Sequence, residues 1–159
     1  IREGVSFAML FDRVEQTVNK AAARLTILRW ALFQFLIGNS DAHGKNFSLL
    51  YDGGSPSLAP LYDVVSTCRY PELTTRLAMS IDGASDIGEV DGRAWEKLAA
   101  QAGYSRRFAA EATRTLVERT VREAERLAAD PTHENATVES ILTGIRARGQ
   151  QGSSAPAEA

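Results

Sequence analysis

The polar stretch that decides the fold of this chain reads Asn39-Ser-Asp-Ala-His-Gly-Lys-Asn46. It follows a long apolar segment and precedes two short apolar runs, so a carboxylate, an imidazole, an ammonium and an amide are held at the mouth of a rigid scaffold. A second block, Leu58-Ala-Pro-Leu-Tyr-Asp63, places another carboxylate seventeen residues after Asn46. We therefore expect the functional chemistry to lie in these two blocks.

The composition fits one soluble domain. The 159 residues are 44% hydrophobic, which is enough for one ordinary core and too little for two. The net charge of -2 lacks the basic surplus of nucleic-acid-binding proteins, so we expect no direct nucleic-acid partner. Cys68 is the only cysteine, which excludes a disulfide framework or a multi-thiolate zinc site and favours a reducing, cytoplasmic setting.

Neither a signal peptide nor a membrane span is predicted. No charged segment precedes an apolar stretch with a small-residue cleavage site. The longest apolar run, Trp30 to Ile37, is interrupted by Gln34 and is shorter than the roughly 18 residues of a membrane span. We therefore expect no membrane partner. Because the chain begins with Ile1 and not with Met, we also expect it to be cut from a longer protein.

Helical periodicity dominates the chain, so the sequence predicts a mainly α fold. The segment over 21–37 is apolar on nearly all sides, which predicts a buried helix, and Gly38 is suited to end it in a left-handed cap. Ser105 is placed as the N-cap of a long helix with interleaved Arg and Glu, and Asp130-Pro131 ends that helix. The predicted helices are 6–11, 21–37, 93–102, 105–129 and 138–148.

Two short apolar runs, 47–51 and 57–62, flank an Asp-Gly turn and predict a small β-hairpin directly after the polar loop. Pro60 weakens the second strand or places it at an edge. Residues 75–81 form a short strand or an extended segment. Residues 149–159 are rich in Gly, Ser, Gln, Ala and Pro, and we expect a disordered tail there.

Asp41 and Asn46 have the Asp-x-x-x-x-Asn spacing of the catalytic loop of protein kinases. The order that follows is also the kinase order, with a hairpin and then Asp63 at the end of its second strand. Phosphoryl transfer needs a carboxylate that accepts the proton of the attacking hydroxyl, and Mg²⁺ held by oxygen ligands. These requirements assign Asp41 as the catalytic base, and Asn46 and Asp63 as metal ligands.

His43 and Lys45 are candidates for stabilising charge on the transferring phosphate, His43 as a catalytic residue and Lys45 as a nucleotide-binding residue. We rank His43 first because Asp-x-His-x-x-Asn also resembles the loop of phosphatidylinositol-type kinases. Simpler interpretations stay open. Asp41, Asn46 and Asp63 are also typical turn residues, His43 is also placed to brace the loop through a backbone carbonyl, and Lys45 to be solvated.

Three blocks together resemble the C-terminal part of HipA-like serine/threonine kinases, the toxin kinases of bacterial toxin-antitoxin modules. They are Leu36-Ile-Gly-Asn-Ser-Asp-Ala-His-Gly-Lys-Asn-Phe-Ser48, Leu58-Ala-Pro-Leu-Tyr-Asp-Val-Val-Ser66 and Leu77-Ala-Met-Ser-Ile81. The resemblance runs from about residue 5 to residue 130. It implies a helical kinase C-lobe over residues 1–148.

The resemblance also implies the function. The residue matching Asp41 is the base, those matching Asn46 and Asp63 hold Mg²⁺ at ATP, the substrate is a protein phosphorylated on Ser or Thr, and a DNA-binding helix-turn-helix antitoxin restrains the enzyme. The family also carries an N-terminal lobe with a phosphate-gripping loop and an ATP-binding lysine. No glycine-rich loop precedes Asp41, so we expect that lobe to be absent from this chain and the chain alone to be inactive.

Two alternatives remain at this stage. A degenerate, non-catalytic kinase lobe would bind the antitoxin or a regulatory protein without transferring phosphate. A small-molecule or lipid phosphotransferase would use the same catalytic loop. The extended Leu58 to Asp63 and Leu77 to Ile81 matches favour a HipA-like kinase over the second of these alternatives.

Overall fold

The computed structural model describes residues 4–133 and 135–153, and helices make up most of these residues. The mainly α fold, with a small hairpin after the polar loop, is confirmed. The helices are α1 Phe7–Arg13, α2 Lys20–Ile37, α3 Gly92–Gln101, α4 Arg106–Ala128 and α5 Ala136–Ser153. The strands form two antiparallel pairs, β1 Leu49–Leu50 with β2 Ser57–Leu58, and β3 Arg76–Ile81 with β4 Ala84–Asp86.

Helix α2 is the centre of the core. It begins at an N-cap in which the Asn19 side chain accepts a hydrogen bond from the amide of Ala22 at 3.0 Å. From Ala23 to Ile37 only Arg29 is exposed, so the helix is buried on nearly all sides, as its sequence predicts. Gly38 ends it with a φ of 77°, a left-handed conformation in which glycine lacks the steric cost of other residues.

Helices α3, α4 and α5 pack against α2 and against one another, and they complete the core. Trp95 of α3 meets Phe35 of α2 edge-on, with ring centroids 5.3 Å apart. The outer face of α4 carries exposed ion pairs such as Arg114 with Glu111 and Glu118. Because exposed pairs contribute little stability, the buried apolar residues of these helices hold the bundle together. No helix in the described part of the chain is long and apolar enough to cross a membrane.

Helix α5 continues to Ser153, which corrects the prediction of a disordered tail beginning at residue 149. Gly149 and Gly152 are buried, and a Cβ atom at Gly149 would lie 2.9 Å from a methyl carbon of Val117. Glycine has low intrinsic helix propensity, but here it permits close packing of α5 on α4, and tertiary contact outweighs propensity. Residues 154–159 of the predicted tail lie outside the described residues.

The two hairpins differ from the sequence prediction in extent. Strand β2 ends at Leu58, because Pro60 has no amide to donate to a ladder. The prediction that Asp63 ends the second strand is therefore wrong, and Asp63 lies in the loop that follows β2. The strand predicted over 75–81 is present, and β4, which the sequence did not predict, pairs with it across a turn at Asp82 and Gly83. Both turn residues have positive φ, which is typical of Asp-Gly hairpin turns.

Candidate active site

The polar loop leaves the left-handed end of α2 and is largely buried at its base. Asn39, Ser40 and Asn46 are 1%, 2% and 5% exposed. Buried polar side chains are destabilising unless they form hydrogen bonds, so the partners of these residues define the geometry of the loop. Each of the three side chains has at least one partner in the segment from Asp63 to Thr74, and Asn39 also bonds Gln34 and Asp41.

Asn46 and Asp63 are in direct contact. The Nδ2 of Asn46 donates to the Oδ2 of Asp63 at 2.7 Å, which is a short, charge-assisted hydrogen bond. The amide oxygen of Asn46 and the remaining carboxylate oxygen of Asp63 are hard oxygen donors of the kind that Mg²⁺ prefers. The structure thus brings the two predicted metal ligands together.

The backbone of Asp63 is held in an unusual conformation. Its φ is 58°, which a residue with a side chain adopts only at a steric cost. The Asp63 carbonyl accepts hydrogen bonds from Asn39 Nδ2 at 3.2 Å and from Gln34 Nε2 at 3.4 Å. Asn39 Nδ2 also donates to Gln34 Oε1 at 3.0 Å. A buried pair of amides at the end of α2 therefore fixes the backbone that carries the Asp63 carboxylate.

The same Asn39 side chain holds Asp41. The main-chain amide of Asp41 donates to Asn39 Oδ1 at 3.1 Å, and Asp41 itself is exposed. Asn39 uses its oxygen for one functional segment and its nitrogen for the other. The backbones of Asp41 and Asp63, far apart in sequence, are thus linked through one buried side chain.

A second set of hydrogen bonds anchors the segment after Asp63. The amide of Ser40 donates to Thr67 Oγ1 at 2.8 Å, and Ser40 Oγ donates to the carbonyl of Thr74 at 2.7 Å. Thr67 Oγ1 in turn donates to the carbonyl of Gly38 at 3.1 Å. The short 3₁₀ helix Thr67–Arg69 is therefore docked on the point where the polar loop leaves α2.

The side chains of His43 and Lys45 differ in burial. His43 is partly buried, and its Nδ1 has no hydrogen-bond partner among the described residues. Lys45 is exposed, and its main-chain carbonyl accepts a hydrogen bond from the Tyr62 hydroxyl at 2.9 Å. The ammonium of Lys45 forms no ion pair with any described residue. Lys45 thus joins the two sequence blocks through its backbone, and its side chain extends into solvent.

The model of the HipA-like C-terminal domain family matches residues 2–126, which include all three sequence blocks and the whole site. The chain belongs to this family. The resemblance stated from the sequence is confirmed, and we refer to the chain as the HipA-like domain.

The relatives of the HipA-like domain include named kinases. It is 45% identical over 90 residues to the serine/threonine-protein kinase toxin HipA of Shewanella oneidensis, covering 57% of this chain and 21% of that protein. It is 41% identical over 101 residues to the Y4mE protein of Sinorhizobium fredii, covering 63% of this chain and 24% of the relative. The chain thus spans between a fifth and a quarter of the length of these relatives.

A solved structure shares the fold. The complex of Shewanella oneidensis HipA with HipB and its operator DNA contains a chain that superposes with a TM-score of 0.83 and 32% identity. The match covers 94% of the HipA-like domain and 36% of the solved chain. It extends the similarity over nearly the whole of this chain, beyond the residues that the family model matches.

Among residues 4–133 and 135–153, no three His, Cys, Asp or Glu side chains cluster as a metal cage would require. The HipA-like domain instead offers Asn46 and Asp63. Two protein oxygens suit Mg²⁺, which usually keeps several waters or substrate phosphate oxygens as its other ligands.

Sequence reasoning assigned no role to Gln34, Asn39 or Thr67. Gln34 interrupts an otherwise apolar helix, and a polar residue at a buried helical position is itself the signal that a hydrogen-bond partner lies opposite. Asn39 and Thr67 carry no comparable signal, because Asn and Thr are ordinary loop residues. Their roles depend on the approach of two segments that only the fold brings together.

A cavity of about 230 Å³ lies beside the polar loop of the HipA-like domain. Its walls come from α1, α2 and the first hairpin, and they are mainly apolar: Met9, Val14, Ile27, Phe47 and Leu58 are among them. Pockets that enclose a ligand of drug size have volumes of about 300–1,000 Å³, so this cavity is smaller than a complete nucleotide pocket.

Proposed function

We propose that the HipA-like domain supplies the catalytic base and the metal ligands of a Mg-ATP-dependent protein serine/threonine kinase. The observation that carries the proposal is the Asn39 side chain, which links the backbones of Asp41 and Asp63. Catalysis of phosphoryl transfer is almost entirely positioning and charge stabilisation, so a rigid link between these two segments is what the reaction requires.

Asp41 is the base in this proposal. Asp41 is exposed, so its carboxylate is accessible to a substrate hydroxyl. Its main-chain amide is held by a 3.1 Å hydrogen bond to Asn39 Oδ1. The carboxylate accepts the proton of a protein Ser or Thr hydroxyl as that oxygen attacks the γ-phosphate. The protein substrate is part of the proposal.

Asn46 and Asp63 are the proposed Mg²⁺ ligands. When bound, the ion neutralises charge on the phosphate oxygens of ATP. The 2.7 Å contact between the two side chains keeps them adjacent, and the Gln34 and Asn39 amides hold the strained Asp63 backbone in place. The local chemistry of the donors therefore fits the ion.

His43 is the proposed additional catalytic residue and Lys45 a nucleotide-binding one. The Nδ1 of His43 is buried and without a hydrogen-bond partner in the described residues, and an unsatisfied buried polar atom is costly unless it serves a function. Lys45 is exposed, so its ammonium is accessible to the phosphates.

The proposed partner is a helix-turn-helix antitoxin. The Shewanella oneidensis structure is a complex of a toxin-antitoxin system, HipA and HipB, with operator DNA. The HipA-like domain itself has a net charge of -2, so we propose that DNA is reached through the antitoxin and not by this domain. A cytoplasmic location follows from the same proposal.

Transfer of radiolabelled phosphate from Mg-ATP tests the function. Because the chain spans only part of its relatives, the assay uses the full open reading frame that encodes it. Asp41→Asn and Asp63→Asn should each lower kcat/KM by about a hundredfold or more, which is about 3 kcal/mol of barrier. Asp52→Asn, in the exposed hairpin turn, is the matched control and should stay within about twofold.

Retained turnover in both Asp41→Asn and Asp63→Asn would contradict the proposal. The non-catalytic alternative makes a different prediction. It expects stable binding of the antitoxin together with no phosphate transfer and no nucleotide or Mg²⁺ binding by the wild-type protein.

A further inference from the structure

Helix α5 reaches the base of the catalytic loop although it lies beyond residues 2–126, which the family model matches. The Nε of Arg148 donates to the main-chain carbonyl of Leu36 at 2.9 Å. Leu36 belongs to the last turn of α2, where carbonyls lack intrahelical donors and a positive charge is favourable. Arg148 therefore caps the helix from which the catalytic loop begins.

Two glycines make room for this guanidinium. A Cβ atom at Gly38 would lie 2.8 Å from Arg148 Cζ, and one at Gly144 would lie 2.7 Å from Arg148 Nη2. Gly38 already has a φ of 77°, so the position requires glycine for two independent reasons. The guanidinium is thus packed directly against the turn that leads from α2 into the loop.

Ion pairing does not account for the position of Arg148. Among residues 4–133 and 135–153, no Asp or Glu forms a salt bridge with it. Burial lowers the pKa of Arg148, and the nearby Cys68 thiol acts in the opposite direction. A partly buried cation is costly unless it is hydrogen-bonded, so the contact with the end of α2 is what compensates its burial.

The turn beside Arg148 is attached to both halves of the candidate active site. The chain continues from Gly38 into Asn39 and Asp41. The Gly38 carbonyl accepts hydrogen bonds from the amide of Cys68 at 2.9 Å and from Thr67 Oγ1 at 3.1 Å, and this segment follows Asp63. A shift of this turn would therefore move the base and the metal-binding carboxylate relative to each other.

We propose that Arg148 is a positioning residue for phosphoryl transfer, through which helix α5 fixes the turn that carries Asp41 and anchors the segment after Asp63. The proposal rests on the proposed kinase function. In this proposal, helix α5 contributes to catalysis through the position of the turn and not through contact with a substrate.

Arg148→Met tests the proposal, because methionine keeps an apolar stem and loses the charge and the donors. Misplacement of reacting groups lowers the rate steeply, so kcat in the full-length protein should fall about tenfold to a hundredfold. The KM for a protein substrate should change by less than about twofold, because a positioning residue acts on the reacting groups and not on substrate binding. Arg148→Lys retains the charge and a donor and should recover part of the loss.

Gln151→Ala is the matched control on the same helix. The Nε2 of Gln151 donates to the carbonyls of Ile87, Gly88 and Val90 at 3.1, 3.0 and 2.8 Å, away from the catalytic loop. This variant should lower the melting temperature at least as much as Arg148→Met and keep kcat within about twofold, because it loosens α5 without touching the turn. Equal losses of kcat in Gln151→Ala and Arg148→Met, tracking their melting temperatures, would overturn the proposal.

Amide hydrogen exchange separates this proposal from the proposed function. Exchange at Cys68, whose amide is bonded to Gly38, should accelerate in Arg148→Met and stay unchanged in Gln151→Ala. Unchanged exchange at Cys68 in Arg148→Met overturns the positioning role even if the protein is an active kinase. Absence of phosphate transfer by the wild-type protein overturns the kinase function whatever the exchange result.

Discussion

The side-chain nitrogen of Asn39 lies 3.2 Å from the main-chain oxygen of Asp63, twenty-four residues later in the chain. The oxygen of the same side chain accepts the amide of Asp41 at 3.1 Å. One buried amide therefore links the backbone of Asp41, the proposed base, to the backbone of Asp63, a proposed metal ligand.

Asn39→Ala should lower the free energy of unfolding by about 1–3 kcal/mol, because it leaves buried polar groups without a partner. Urea denaturation followed by circular dichroism measures the change. Gln101→Ala, on the exposed end of α3, is the control and should change stability by less than about 0.5 kcal/mol. An Asn39→Ala protein as stable as the control would show that the Asn39 bridge does not hold the two loops.

Asp63→Gly should be more stable than Asp63→Ala by about 1 kcal/mol. Both variants lose the carboxylate and its hydrogen bond to Asn46, but only glycine adopts a φ of 58° without steric cost. Parallel urea titrations of the two variants measure the difference. Equal stability would mean that the backbone at Asp63 relaxes once the carboxylate is removed.

Gly38→Ala should destabilise the protein more than Gly53→Ala does. Both glycines have positive φ, 77° and 89°, so both substitutions carry the left-handed cost of about 1–2 kcal/mol. A Cβ atom at Gly53 would meet nothing within 4 Å, whereas one at Gly38 would meet Arg148. The extra loss at Gly38 measures the packing of the guanidinium.

A double-mutant cycle isolates that packing. In an Arg148→Ala background, Gly38→Ala should cost less than it does in the wild-type protein, with a coupling free energy of about 0.5–3 kcal/mol. Unfolding free energies of the four proteins give the result. Additive losses would argue against direct contact between residues 38 and 148.

Cys68 should make stability decline at alkaline pH. Burial raises the pKa of its thiol, with Arg148 lowering and Asp86 raising it to smaller extents. A folded-state pKa above the unfolded value contributes stability that is complete below the unfolded pKa and is lost as pH rises through the folded pKa. Wild-type protein should therefore lose stability relative to Cys68→Ser between about pH 7 and pH 10.

Urea denaturation of both proteins at the two pH values checks this expectation. The Cys68→Ser protein carries every other titrating group, so only the thiol contributes to the difference between the two proteins. A constant difference across the pH range would contradict the raised pKa.

The helical part of the fold was predictable from local patterns. The buried helix over 21–37, its end at Gly38 and the three later helices follow from apolar periodicity and from capping residues, which act within a few residues of sequence. The end of α5 was not predictable in this way. Gly149 and Gly152 disfavour a helix locally, and only their contacts with α4, α2 and α3 make the helix continue to Ser153.

The sequence by itself determined which chemical groups this protein carries and in what order, because the Asp41, Asn46 and Asp63 spacing and the extended blocks identify the HipA-like family. Only the tertiary structure decided how those groups are held. The Asn39 amide, the left-handed Asp63 backbone and the Arg148 cap all depend on hydrogen bonds between segments distant in sequence. Such contacts leave no periodic pattern, because each is made by a single residue whose partner is chosen by the packing of the whole chain.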